Sequence, residues 1–234
     1  MAAGRMAEIR LAALAPLVAE VETAGLDWLS DDERTRWSAM GSEIRRRQFL
    51  AGHWLIRSLA ADALGGEPAQ WVLSAGADGA PALRSPACDA GQGVAASLSH
   101  SAEWVVAAVA SFPVGIDLEH PSRPRNLRAL ADYAFSPEEC AELRGLPDDE
   151  RTAAFYLFWT IKEAVGKREG HGLRPELARR QRPISCAADA ADVVSWQFAD
   201  CSLALAGEPG MPVRVTGIPE TARRCYWRIE SVAA

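Results

Sequence analysis

With 234 residues, 49% of them hydrophobic and 24% charged, the chain can bury one large core or two small ones and reads as an ordinary soluble globular protein. Its formal charge of −6 and pI near 5.3 exclude a protein that coats nucleic acid or an anionic membrane, so a phosphate-bearing ligand must be met by a local cluster of cations. Arginine and glutamate interrupt the first ten residues, no apolar run approaches the roughly 20 residues that span a bilayer, and the five scattered cysteines contain no Cys-x-x-Cys pair. These features predict a cytoplasmic protein with neither a disulfide framework nor a zinc site.

In chain order, residues 8–14 read as a strand. Ser30-Asp31-Asp32-Glu33 is a helix start, a serine N-cap followed three residues later by glutamate. Phe49, Trp54, Leu55, Leu59 and Ala63 recur at near-helical spacing and predict a helix from Glu43 to about Leu64, stopped by Gly65-Gly66. Trp71-Val72-Leu73 is a short strand, and the stretches from Gly76 to Leu83 and from Ser85 to Gly93 are turn-rich. Val94–Ser99, Trp104–Ala110 and Val114–Glu119 then predict a three-stranded meander. Pro113 divides the chain into lobes 1–112 and 113–234.

Beyond Pro113 the pattern turns helical. Residues 126–135 are amphipathic, and Ser136-Pro137-Glu138-Glu139 places serine at the N-cap, proline at N1 and glutamate at N3. A third helix starts near Pro147-Asp148-Asp149-Glu150, carries Phe155, Phe158, Trp159, Ile161 and Val165, and stops at Gly170-His171-Gly172. Its acids at the start and Lys167-Arg168 at the end suit the helix dipole. The last fifty residues alternate as strands. Each half thus reads as helix plus antiparallel sheet, an α+β fold of two similar lobes, with no evident sequence repeat between them.

Three stretches carry chemistry. In Val114–His120 (VGIDLEH), Asp117 and Glu119 are two residues apart on a strand and project side by side. Adjacent carboxylates repel unless a cation sits between them, and Mg²⁺ does so with one or two carboxylates plus phosphate and water; the alternation alone is equally that of a solvent-facing strand. In Phe158–Lys167 (FWTIKEAVGK) lie Glu163 and the only two lysines, the other basic residues all being arginine. Glu163 on so aromatic a helix needs a partner, and Lys167 at i+4 shares its face. In Ser97–Ser101 (SLSHS), Ser99 and His100 stand at a strand end where hydroxyl and imidazole can bind phosphate.

Taken in order, with about 17 and then about 45 residues between them, these three stretches and the following Gly170–Leu173 resemble the surfactin-type 4′-phosphopantetheinyl transferases. The resemblance covers Ser30 to about Leu173. It implies a pseudo-twofold α+β fold with coenzyme A in the cleft between the lobes. The implied reaction moves the 4′-phosphopantetheine arm of coenzyme A to a serine of an apo acyl or peptidyl carrier protein, with Mg²⁺, releasing adenosine 3′,5′-bisphosphate. Asp117, Glu119 and Glu163 would hold the metal. Glu163, or a metal-bound water, would help deprotonate the serine, and Lys167 would steady the phosphate under attack. Lys162 would contribute more weakly, and Ser99 and His100 would bind phosphate. Two departures from the pattern are Gln48, where an arginine is usual, and Ala80, where a lysine is usual; Arg47 or Arg36 would have to compensate. The alternative is a non-catalytic carrier-binding or regulatory relative with weakened coenzyme A binding. Arg123, Arg125 and Arg128 are candidates for docking an acidic carrier, and a monomer is expected.

Overall fold

Ala7, Ile9 and Leu11 alternate with Glu8 and Arg10, and this period of two forms the first strand, β1 (Ala7–Ala13), with its apolar side buried. The structure is a computed structural model that describes residues 6–75, 81–85, 94–122 and 124–231. Packing divides the chain into two units, Met1–Pro113 with Pro212–Ile218, and Val114–Met211 with Pro219–Ala234. No helix among the described residues is long and apolar enough to cross a membrane.

In the first unit β1 leads directly into α1 (Leu14–Ala24), whose Leu14, Leu17, Val18 and Val21 make one apolar stripe. The sequence reading assigned no helix here. α2 (Asp31–Ser38) begins with the expected capping box: Ser30 N donates to Glu33 Oε2 at 2.9 Å and Glu33 N to Ser30 Oγ at 3.3 Å. α3 (Glu43–Leu64) has the expected bounds and packs with α1 on one side of a sheet through Leu55, Ile56, Leu59 and Ala60. The sheet adds β2 (Val72–Ala75), β3 (Pro81–Arg84), β4 (Val94–Ser101) and β5 (Trp104–Ala110). Part of the stretch read as turns is therefore strand β3. Gly79 and Ala80, with the missing lysine, lie outside the described residues, as does Cys88.

The second unit starts with β6 (Gly115–Glu119). α4 (Leu127–Ala134) and α5 (Pro137–Gly145) follow, the latter opened by the expected Ser136–Glu139 capping box. α6 (Asp148–Arg168) is the long aromatic helix, followed by α7 (Pro175–Ala178), β7 (Gln181–Ser185), β8 (Val193–Phe198) and β9 (Cys201–Ala206). The strand β10 (Val213–Thr216) leaves this unit, and β11 (Arg223–Ser231) returns to it. α6 buries two sides. Phe155 and Phe158 pack with Ala134, Phe135 and Leu143, while Ile161, Ala164 and Val165 pack on Val193, Ala204 and Ala206 of the sheet.

Two strand assignments change in three dimensions. The first sheet runs β10-β1-β5-β4-β3-β2 and the second β6-β9-β8-β11-β7. The meander ends at the β4–β5 hairpin, because β6 pairs antiparallel with β9 instead of β5. β10, counted within lobe 113–234, pairs parallel with β1 in the first sheet. Each hydrophobic run states that a strand exists; its pairing partner is chosen by register and packing.

Candidate active site

The register of the second sheet decides which side of β6 carries the acids. Asp117 pairs with Ala204 and Glu119 with Ser202, and Ala204 belongs to the side covered by α6. Asp117 and Glu119 therefore project toward α6, and Ile116 and Leu118 to the other side. Close approach of strand and helix depends on Gly115, where a Cβ would stand 2.0 Å from the Ala164 carbonyl oxygen. A Cβ on Gly166 would similarly stand 2.2 Å from the Gly172 carbonyl, and the turn at His171-Gly172 donates both its amides to the Gly166 carbonyl. The sequence reading missed both glycines, although a glycine inside so long a helix is itself a sign of close approach.

Across this contact Lys167 Nζ donates to Asp117 Oδ1 at 2.8 Å and to the Ile116 carbonyl at 3.0 Å. Asp117 is 5% exposed, so the ammonium holds a buried carboxylate and the strand backbone together. Glu163, one turn before Lys167, is pushed up to about 7, first by burial and then by the charges of Asp117 and Glu119, with only the Lys167 charge opposing. Burial and Asp117 also push Glu119 up, partly offset by Arg125, whose guanidinium lies 3.5 Å from Glu119 Oε1. Arg125, itself exposed, thus lies beside the acids. Arg128 is exposed, within 4.0 Å of Asp132, and Arg123 lies outside the described residues.

The sequence expected Asp117, Glu119 and Glu163 to gather around a divalent metal. Among the described residues no three His, Cys, Asp or Glu side chains are placed to hold one as they stand. The chemistry of the donor set nonetheless fits a hard cation: three carboxylates share one water-poor region with fewer cations than acids, and burial, then the neighbouring carboxylate charges, raise the proton affinity of two of them. Lys167 and Arg125 supply part of that missing charge.

Lys162 goes elsewhere. Its ammonium, 2% exposed, donates to the carbonyls of Ala178 and Gln181 at 2.6 Å each and lies 3.0 Å from Glu139 Oε2. The expected phosphate contact at Lys162 is corrected accordingly, since all its donors point into the protein. Glu139, missed as anything beyond a capping residue, is the carboxylate that made burial of this lysine possible.

In the first unit Ser99 is buried and His100 exposed at the end of β4, paired with Val106 and Val105. Gln48 Nε2 donates to the Ala102 carbonyl in the turn beyond them at 3.3 Å, so the start of α3 lies against this strand end. Arg47 points into solvent, and Arg36 is exposed with its guanidinium 5.3 Å above the Phe49 ring. Phe49 in turn stacks on His53 at 3.9 Å.

Residues 113–204 match the family model of the 4′-phosphopantetheinyl transferase superfamily. The chain is 33% identical over 158 residues to a 4′-phosphopantetheinyl transferase of Bacillus subtilis, covering 68% of this chain and 67% of that one. It is 36% identical over 146 residues to the 4′-phosphopantetheinyl transferase HetI of Nostoc sp., covering 62% and 61%. The chain thus spans about three fifths to two thirds of the length of these curated relatives. A more distant likeness is to the Helicobacter pylori holo-[acyl-carrier-protein] synthase solved in complex with coenzyme A. Its TM-score is 0.34 at 18% identity, over 45% of this chain and 98% of that one, too remote to place any residue. The matched segment contains β6 with both its acids and α6 with Glu163 and Lys167, and on these similarities the chain belongs to the 4′-phosphopantetheinyl transferase superfamily.

Proposed function

We propose that this chain transfers the 4′-phosphopantetheine arm of coenzyme A to a serine hydroxyl of an apo acyl or peptidyl carrier protein and releases adenosine 3′,5′-bisphosphate. The observation that carries this reading is the meeting of β6 and α6, where Lys167 bridges to Asp117 beside two further acids that are short of positive charge. In the transfer, the serine oxygen forms a bond to the phosphorus attached to pantetheine, and the bond from that phosphorus to the bridging oxygen breaks. Glu163, on the side of α6 that faces the acids of β6, accepts the serine proton. Lys167 offers its ammonium to an oxygen of the phosphorus under attack. Asp117, Glu119 and Glu163 are the residues that would hold Mg²⁺, which when bound neutralises the pyrophosphate and polarises it toward attack. We assign nucleotide phosphate binding to Ser99 and His100 with Arg36 and Arg47.

The second reading, a carrier-binding relative with weak coenzyme A affinity, is favoured by Gln48, which uses its amide on the Ala102 carbonyl. One assay separates the two. The protein is incubated with Mg²⁺, coenzyme A and a panel of apo carriers, and each carrier is weighed by mass spectrometry. The transferase reading expects a phosphopantetheine adduct; carriers that bind but gain no mass support the second reading. Glu163→Gln is expected to lower kcat by about two to three orders of magnitude with folding intact, and full activity in that variant rejects the assignment of Glu163.

A further inference from the structure

Lys162 is one of only two lysines among 25 basic residues, and burial has removed it from any ligand. Three acceptors from three segments converge on its single nitrogen. They are Glu139 Oε2 in the first turn of α5, the carbonyl of Ala178 at the end of α7, and the carbonyl of Gln181 at the start of β7. An ammonium radiates three N–H groups from one atom, whereas a guanidinium spreads its donors around a flat fork. That geometry gives a reason for lysine here in a chain that otherwise uses arginine. Glu139 is itself fixed by the Ser136 amide at 2.7 Å, and the Phe135 ring lies 5.7 Å from Nζ.

The side chain at 163 leaves α6 about 100° around the helix from that at 162. Lys162 enters the α5, α7 and β7 side, and the next residue faces the acids of β6. The contacts of Lys162 thus hold α6 on a flank adjacent to the one that offers Glu163 and Lys167 to Asp117. Apolar side chains could join the same segments without desolvating an ion pair, but they would not fix direction as three hydrogen bonds from one point do.

We propose that Lys162 is a positioning residue for the transfer: it locks the rotation and height of the C-terminal half of α6, so that Glu163 and Lys167 meet β6. The proposal rests on the assignment of Glu163 and Lys167 above. The test uses the full chain carrying Lys162→Met with Glu139→Leu, which removes both buried charges together and so avoids an unpaired one. Amide hydrogen exchange over residues 161–168 is expected to quicken by at least about tenfold while β8 and β9 stay protected. On a carrier the wild type modifies, kcat is expected to fall by at least about tenfold with KM for coenzyme A within about twofold. Lys162→Arg is expected to restore neither, despite keeping the charge. Glu139→Gln, close in shape to the native residue, gives the same pattern at smaller size and serves if the double variant does not fold. Unchanged exchange in these variants overturns the proposal, as does a wild-type kcat. A KM for coenzyme A raised tenfold at constant kcat also overturns it, by making Lys162 a phosphate contact. If the wild type modifies no carrier, the functional reading falls, and the exchange measurement still decides whether Lys162 fixes this end of α6.

Discussion

Arg57 on α3 and Lys162 on α6 hold corresponding places in the two units. Each is a buried cation of the long helix, and each meets the N3 glutamate of the capping box that opens a preceding helix, Glu33 after Ser30 and Glu139 after Ser136. The resulting balance of charge differs. Glu33 receives Arg57 Nη2 on both oxygens at 2.8 and 2.7 Å, His53 Nδ1 lies 2.6 Å from Oε1, and Ser30 donates from backbone and hydroxyl. Burial pushes Glu33 up, but the His53 hydrogen bond, the Arg57 charge and Ser30 outweigh it and leave it at about 2. Glu139 has Lys162 against one oxygen and feels Arg182 more weakly, and its Oε1 is buried without a hydrogen-bond partner among the described residues; burial outweighs these cations and pushes this acid up. In the same unit, Glu119 and Glu163 are pushed up as well. The first unit closes its buried charges into a balanced network, which stabilises. The second keeps an excess of carboxylate beside α6, a costly arrangement that suits an incoming cation or proton.

The largest effect should come from breaking the balanced side. Arg57→Met leaves Glu33 buried and partly unpaired and is expected to cost about 3–5 kcal/mol, read as a lower denaturant midpoint. A loss under 1 kcal/mol would show that the two ion pairs are energetically alike.

Acidification should affect the stability of the two units in opposite directions. Glu33 has a folded pKa below its unfolded one, so its contribution of about 3 kcal/mol is present above pH 4.5 and is lost as pH falls through about 2. Glu163 has the opposite sign, contributing stability that is present below pH 4.5 and lost as pH rises through about 7. Between pH 7 and pH 5, protection of α6 and β6 against hydrogen exchange, corrected for intrinsic rates, should rise while that of α2 and α3 does not. A parallel response in both units contradicts the contrast.

Gly115→Ala forces β6 away from Ala164 and is expected to cost about 3 kcal/mol. It should also lower kcat, since Asp117 and Glu119 ride on that strand. Stability lost with kcat retained would mean that the acids tolerate the shift. The smallest effect is expected at Arg128, exposed on α4. Arg128→Glu should raise KM for an acidic carrier by only a few-fold and leave KM for coenzyme A unchanged. An equal rise in both would remove α4 from the docking surface.

Much of this contrast rests on residues whose local pattern was readable. The Ser-x-x-Glu boxes at Ser30 and Ser136, the bounds of α3, and the side-by-side projection of Asp117 and Glu119 depend on spacings of one to four residues, which the chain itself dictates. Three-residue spacing does not reveal that Glu33 will meet Arg57, 24 positions later, or that Glu139 will meet Lys162. Helical spacing set Lys167 on the face of Glu163 and Lys162 off it, but it did not reveal that Lys162 would be buried against Glu139.

The sequence by itself determined where the box-capped helices α2 and α5 start, which strand residues share a side, and which residue types could serve a phosphate or a cation, because backbone periodicity and capping act over one or two turns. Tertiary structure alone decided that β6 leaves the meander for β9, that β10 joins β1, and that Lys162 turns inward while Lys167 reaches Asp117. Those choices depend on which surfaces exclude water together and on which buried charges find partners, and both are properties of residues distant in the chain.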